Sequence, residues 1–140
     1  MSEVLIVGSM ALDSVKTPFG QADRTVGGAA VYAATATSLL APVRLVGVVG
    51  GDFPREALDF LEGRGVDLAG VELVPDGKSF YWSGVYDYDL SDRETLDTQL
   101  NVFADFNPTL PASFRQSRYC FLANIQPELQ LSVLEQIEGP

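Results

Sequence analysis

Val4-Leu5-Ile6-Val7-Gly8-Ser9-Met10-Ala11-Leu12-Asp13 sets the architecture. Val4 to Val7 is a continuous apolar, largely β-branched run that ends on Gly8 without polar alternation. That pattern suits a short strand buried on both faces, as in a parallel sheet. Ser9 to Asp13 reads as the loop at its carboxyl end, the side of an α/β sheet where ligands bind. Further along, Gly27-Gly28 opens a run of small residues from Ala29 to Leu40. Its alanines predict a helix thin enough to lie close to a sheet, stopped by Pro42. Val43 to Val49 reads as a second buried strand, with Gly50-Gly51-Asp52 as its exit turn. Pro54 suits the first turn of the next helix. Ala57, Leu58 and Leu61 form that helix's apolar stripe, and Gly63 to Gly65 end it. Val66 to Val74 then leads through a short strand to the turn Pro75-Asp76-Gly77.

From residue 80 the pattern changes. Phe80 to Tyr88 alternates in part and is rich in aromatic strand formers; Ser91-Asp92-Arg93 is turn-like, and Thr95 to Phe106 is a second extended stretch. Together they predict an antiparallel pair. Tyr119 to Leu122 is another short buried strand, and a helix opens after Pro127. Strands alternating with helices, interrupted by an aromatic β segment, make an α/β chain with a parallel sheet and an appended small sheet. A chain of this kind that stops on a crossover helix is expected to be the front part of a longer protein.

Composition excludes several function classes. The 140 residues carry 9 Lys+Arg against 19 Asp+Glu, a net charge of −10. That balance argues against nucleic acid and against an anionic membrane as partners, since both are held by basic residues. There is no His, so His-based metal ligation and His acid–base chemistry are ruled out within this chain. Cys120 is the single cysteine. It excludes an intrachain disulfide and a zinc–thiolate cluster, and it agrees with a reducing, cytoplasmic compartment. No apolar run reaches the length of a membrane span, and residues 1–12 lack the features of a signal peptide. Gly8-Ser9-Met10-Ala11 lacks the second glycine of a dinucleotide-binding loop.

Four features in order carry a resemblance: Val7 to Asp13; Val26-Gly27-Gly28-Ala29-Ala30 opening the Ala-rich helix; Val43 to Asp52; and Gly65-Val66-Asp67 ahead of the aromatic β segment. Together they resemble the ribokinase-like (PfkB) family of carbohydrate and nucleoside kinases. The likeness covers essentially all 140 residues, and it rests on order and spacing rather than on one motif. It implies a Rossmann-like sheet with helices on both faces and a small antiparallel β lid, formed by strands at about 14–27 and 79–104, with residues 1–140 as the N-terminal part of the kinase domain. It further implies transfer of the ATP γ-phosphoryl group to a hydroxyl, dependence on Mg²⁺, and a homodimer through the lid. The family's nucleotide side and catalytic base lie in a Gly-rich D-T-x-G-A-G-D type motif. This sequence has none, so the C-terminal half of the fold is expected to be absent and no catalytic residue or metal ligand is assigned here.

The candidate substrate residues are Asp13, Gly27, Gly28, Tyr32, Asn101 and Phe103. A carboxylate such as Asp13 can accept two hydroxyl hydrogen bonds at once, as a sugar or polyol requires; a solvated loop acid is the alternative. Gly27-Gly28 would let backbone approach a ligand and expose N–H groups at a helix start, or would simply form a tight turn. Tyr32 is a pocket residue or an aromatic on the buried side of its helix. Asn101, Phe103 and Asp105 sit where the second lid strand returns, and Asn124 points into the cleft or caps a loop. Asp52 reads as a turn residue and helix N-cap, Cys120 as a core thiol, and Asp87, Asp89, Asp92 and Asp97 as a solvated rim. Phe80, Tyr81, Trp82, Tyr86 and Tyr88 pack a dimer, close over substrate or pack within the chain. Ribokinase-type members have Asn where Ala11 stands, Lys where Ala29 stands and Asn where Tyr32 stands, which predicts a less polar pocket than a plain ribose site.

The expected function is therefore the substrate-binding half of an ATP-dependent carbohydrate kinase. A non-catalytic sugar-binding or dimerisation module, or a nucleoside kinase of the same family, is the alternative.

Overall fold

The computed structural model describes residues 2–139. Four strands, β1 (Val4–Val7), β4 (Val43–Gly50), β5 (Val66–Val74) and β8 (Tyr119–Leu122), form a parallel sheet in the order β5-β4-β1-β8. Alternate residues of its central strands feed two separate cores, which is why β1, and β4 apart from Arg44, read as apolar runs. Ile6 and Leu45 pack under helix α1 (Ala29–Thr37) and helix α2 (Arg55–Gly63), with Ala30, Ala34 and Leu61. Leu5, Val7, Val46 and Val48 pack on the other face with Phe114, Leu110 and Val133, the last from helix α3 (Pro127–Gln136).

A second sheet is built from β2 (Ala11–Thr17), β3 (Gly20–Gly27), β6 (Phe80–Tyr86) and β7 (Arg93–Gln99), in the order β3-β2-β6-β7. Its outer pairs are antiparallel, but the central pair, β2 with β6, is parallel. The lid is thus a four-stranded mixed sheet rather than purely antiparallel, because β6 enters from the far side of α1, β4, α2 and β5.

Three local expectations are corrected. Ser9 to Asp13 is not all loop: Leu12 is buried at 2% exposure beside the core, so the chain enters β2 at Ala11 and Asp13 is a strand residue of the second sheet. Asp52 does not cap α2, whose N-cap is Pro54 with no side-chain hydrogen bond. The stretch from Thr95 to Phe106 is extended only to Gln99. Asn101, at φ 51°, then turns the backbone into a 3-10 segment, Asn101–Asp105.

Candidate functional site

The two sheets meet in a cleft whose walls follow from register. β2 pairs with β6 so that Ala11 lies opposite Phe80 and Asp13 opposite Trp82. Residues two apart on a strand share a face, so these four side chains form one wall. The other wall is the start of α1, with Gly28, Ala29 and Tyr32; Ser9 and Asn124 border the cleft below, and Tyr86 and Arg93 form its rim. The enclosed volume is about 300 Å³.

Asp13 is half-buried, and burial pushes its carboxyl above the ordinary carboxylate range. Thr25 Oγ1 donates to its main-chain oxygen at 3.1 Å, while among the described residues no side chain donates to its carboxylate. A half-buried acid without a protein partner is unfavourable for folding and suited to accepting hydrogen bonds from a ligand.

The paired glycines act in different ways. Gly27 faces the Asp13 carboxylate, and a Cβ at 27 would overlap Asp13 Oδ2. Gly28 has φ 98°, and a Cβ there would strike the Ser9 carbonyl oxygen and the Ala11 amide. The tight turn between β3 and α1 therefore requires glycine at 28. It does not leave the helix start open. Ala29 N donates to Ser9 Oγ at 3.0 Å and Ala30 N to Ser9 O at 3.0 Å. Ser9, only 2% exposed, is thus the remote cap of α1, and the expectation that N–H groups at this helix start are exposed does not hold for Ala29 and Ala30. Tyr32 is 64% exposed and lines the cleft mouth, so it is not an aromatic of the buried helix face.

Trp82 is fixed on three sides. Its Nε1 donates to Thr95 Oγ1 at 3.2 Å, the Arg93 guanidinium lies 5.6 Å from the ring centroid, and Gly84 leaves room for the indole, where a Cβ would overlap it. Arg93, read in the sequence as part of a turn, is the cation at the rim.

A polar clasp ties the lid to the parallel sheet. Asp52 Oδ1 accepts the Ser79 amide at 2.8 Å, and its Oδ2 pairs with Arg24 Nη2 at 2.8 Å. Ser79 Oγ accepts the Gly50 amide at 2.9 Å. Partial burial pulls the Asp52 carboxyl up, but the Ser79 hydrogen bonds and the Arg24 charge outweigh it and hold it below its ordinary value. Asn101 belongs to this clasp: its Nδ2 donates to Ser79 O at 2.9 Å, and it lines no cavity described here.

Phe103 lines a second cavity of about 560 Å³, walled also by Phe80, Phe106, Asp105, Asn107, Asn124 and Gln126. Phe80 and Asn124 border both spaces. Cys120 is half-buried on β8, and burial raises its thiol pKa, which disfavours the reactive thiolate. Asp87 and Asp89 accept amides of their own turn, from Asp92 and Ser91. Among the described residues no three His, Cys, Asp or Glu side chains gather as a metal ligand set.

The fold recurs in solved structures. Ribokinase from Cryptococcus neoformans var. grubii serotype A, in complex with ADP, superposes with a TM-score of 0.71 at 21% identity, covering 97% of this chain and 45% of that one. The chain has the ribokinase-like fold. A Burkholderia thailandensis nucleoside kinase in complex with inosine matches this ribokinase-like chain at 26% identity and a TM-score of 0.61, over 70% of its length and 35% of the kinase. A curated relative, cytidine kinase of Thermococcus kodakarensis, is 29% identical over 140 residues, 99% of this chain and 49% of the relative. No family model matches. The ribokinase-like chain spans about half the length of the relatives it matches, and those relatives are kinases. Among its described residues no helix is long and apolar enough to cross a membrane.

Proposed function

We propose that this chain supplies the alcohol-binding half of a cytoplasmic kinase that moves the γ-phosphoryl group of ATP to a hydroxyl of a carbohydrate or related small alcohol. The observation that carries the reading is the Asp13 carboxylate: half-buried, without a protein donor, in the wall of a cleft between the two sheets. Such a carboxylate accepts hydrogen bonds from two substrate hydroxyls and orients the one that reacts. Gly27 keeps the acid in place by having no side chain, and Gly28 brings the start of α1 close. Tyr32 and Trp82 line the same cleft.

In the reaction a bond forms between the substrate oxygen and the γ-phosphorus. The bond from that phosphorus to the β–γ bridging oxygen breaks, the hydroxyl proton is finally released to solvent, and ADP departs. No residue of this chain is assigned as the base, and none as a Mg²⁺ ligand, since no ligand set gathers among the described residues. Mg²⁺ bound with the nucleotide would offset the negative charge on the transferring group. A homodimer through the lid sheet is part of the same reading. β7 is exposed along its whole length, and Leu96, Tyr88 and Phe19 are large apolar groups in water.

The test is alcohol-dependent ADP release by the intact gene product with MgATP. Activity with a sugar or nucleoside that drops when Asp13→Ala is introduced supports the reading. If Asp13→Ala keeps the parent kcat/KM, the cleft is not the substrate site.

A further inference from the structure

Strand β3 is irregular beside Asp13. Asp13 pairs with Thr25 and Val15 with Ala22, so Ser14 alone stands opposite two residues, Asp23 and Arg24. A bulge of this kind bends and twists its strand, re-aims a side chain, and recurs next to active sites. Arg24 lies in it at φ 50°, a left-handed backbone that strains a residue with a long side chain. Ser14 Oγ accepts the Arg24 amide at 3.0 Å and closes the bulge.

Glycine would adopt that backbone without strain. Arginine adds little stability there, because its side chain is 53% exposed in the pair with Asp52, and exposed pairs contribute little. What it adds is reach. Leu12, Val26 and Tyr81 turn to the face of the lid opposite Asp13 and join the core that α1 and α2 cover. The Arg24 guanidinium lies 5.4 Å from the Tyr81 ring centroid and ends on Asp52 Oδ2 at 2.8 Å. Asp52 is fixed in turn by the amide of Ser79, which is buried. Among the described residues this is the only side-chain hydrogen bond from β3 to a residue outside the lid sheet.

The other end of the connection is Asp13. Thr25, next in the chain to Arg24, donates its hydroxyl to the Asp13 main-chain oxygen at 3.1 Å, and Gly27 leaves the space that the carboxylate fills. The carboxylate has no side-chain donor of its own, so its place in the cleft wall follows the place of β3.

We infer that Arg24 is a positioning residue for the alcohol site: its span from the bulge to Asp52 holds β3, and through Thr25 the Asp13 carboxylate, in the cleft wall. The inference rests on the reading of the Asp13 cleft as that site. Arg24 does not line the cleft and touches no substrate.

The experiment is a carbon-13 NMR titration of the Asp13 carboxyl in the intact gene product, with Asp13→Asn identifying the signal. Arg24→Gly keeps the left-handed backbone and loses the reach; Arg24→Lys keeps a cation for Asp52. Arg93, Tyr32 and Tyr86 are the other charged or titratable groups at the cleft, and they are unchanged in both variants. Burial holds the parent carboxyl above the ordinary range. Release of β3 turns it toward water, so Arg24→Gly should bring the titration down toward that range, and Arg24→Lys should keep the parent curve. Loss of the Arg24 charge alone would move it upward, since a nearby cation favours the carboxylate. Asp52→Asn keeps an acceptor for the Ser79 amide while weakening the far anchor, and should give the same fall. With MgATP and D-ribose or cytidine as acceptor, Arg24→Gly should lower kcat/KM roughly tenfold and Arg24→Lys should restore it. An Asp13 titration that both Arg24→Gly and Asp52→Asn leave unchanged or raise overturns the inference and leaves the cleft reading standing. A titration that falls as expected, in a protein whose kcat/KM survives Asp13→Ala, overturns the cleft reading instead.

Discussion

The carboxylate of Asp13 occupies the space in which a side chain at Gly27 would stand. The two residues come from neighbouring strands, β2 and β3, and the acid's position depends on the absence of a single methyl group. Gly27→Ala should push the carboxylate out of the cleft wall and cut kcat/KM for the alcohol at least about tenfold, with KM carrying most of the change. Filling a packed site in this way costs about 1–3 kcal/mol of stability, so a chemical melt run in parallel separates loss of fold from loss of binding. A variant with parent kinetics would show that the acid tolerates displacement.

Asp13 also makes binding and folding respond to pH in opposite senses. Its folded carboxyl lies above its ordinary value because burial penalises the charge. A raised acid adds relative stability below its unfolded pKa, and that stability is lost as pH rises through the folded value. Asp13→Asn should therefore raise Tm at pH 7, and the gain should vanish as pH falls below the carboxylate range. Substrate affinity should move the other way, weakening as pH falls and Asp13 takes up a proton. Tm and Kd measured across pH 3.5 to 7 test both halves.

The clasp at the root of the lid predicts an asymmetry between its partners. Arg24→Ala breaks a partly exposed ion pair and should cost no more than about 1 kcal/mol. Asp52→Ala removes the same pair and also leaves the Ser79 amide without its acceptor, which should cost about 1–3 kcal/mol. Because the Asp52 carboxyl is held low, its contribution is present above the unfolded pKa and fades as pH falls through the folded one. Urea melts of both variants at pH 7 and at pH 3 give the comparison, and equal costs at pH 7 would remove Ser79 from the argument.

The lid surface leads to a prediction about assembly. Leu96, 60% exposed on the outermost strand β7, should lie in the homodimer contact. Leu96→Asp should then shift the sedimentation of the intact protein from dimer toward monomer at micromolar concentration. An unchanged profile would move the contact away from β7.

The parallel sheet was legible because its central strands show almost no polar alternation: Val4 to Val7, and Val43 to Val49 apart from Arg44, suit strands buried on both faces. The ribokinase-like resemblance followed from motif order, and the solved neighbours have that fold. Asp13, Gly28 and Tyr32 stand together in one cleft because the chain crosses directly from one sheet to the other and returns at the start of α1. What the sequence hid is long-range. Ser9 caps a helix twenty residues away through a hydroxyl that no local pattern marks. Asp52 looks like an N-cap because it precedes a helix, yet its partners are Arg24 and Ser79. Asn101 looked like a pocket residue, but its positive φ and its hydrogen bond to Ser79 make it a corner. Arg93 sits at the cleft rim only because β7 pairs it with Tyr86.

The indole of Trp82 is the one tryptophan in these 140 residues, and it lies in the cleft wall, held by Thr95, Arg93 and the bare backbone of Gly84. The chain thus carries its own fluorophore at the place where a guest would sit. Emission from that ring reports occupancy directly, with no label and no coupling enzyme, and exchange of Gly84 for a larger residue would detune the signal by tipping the ring.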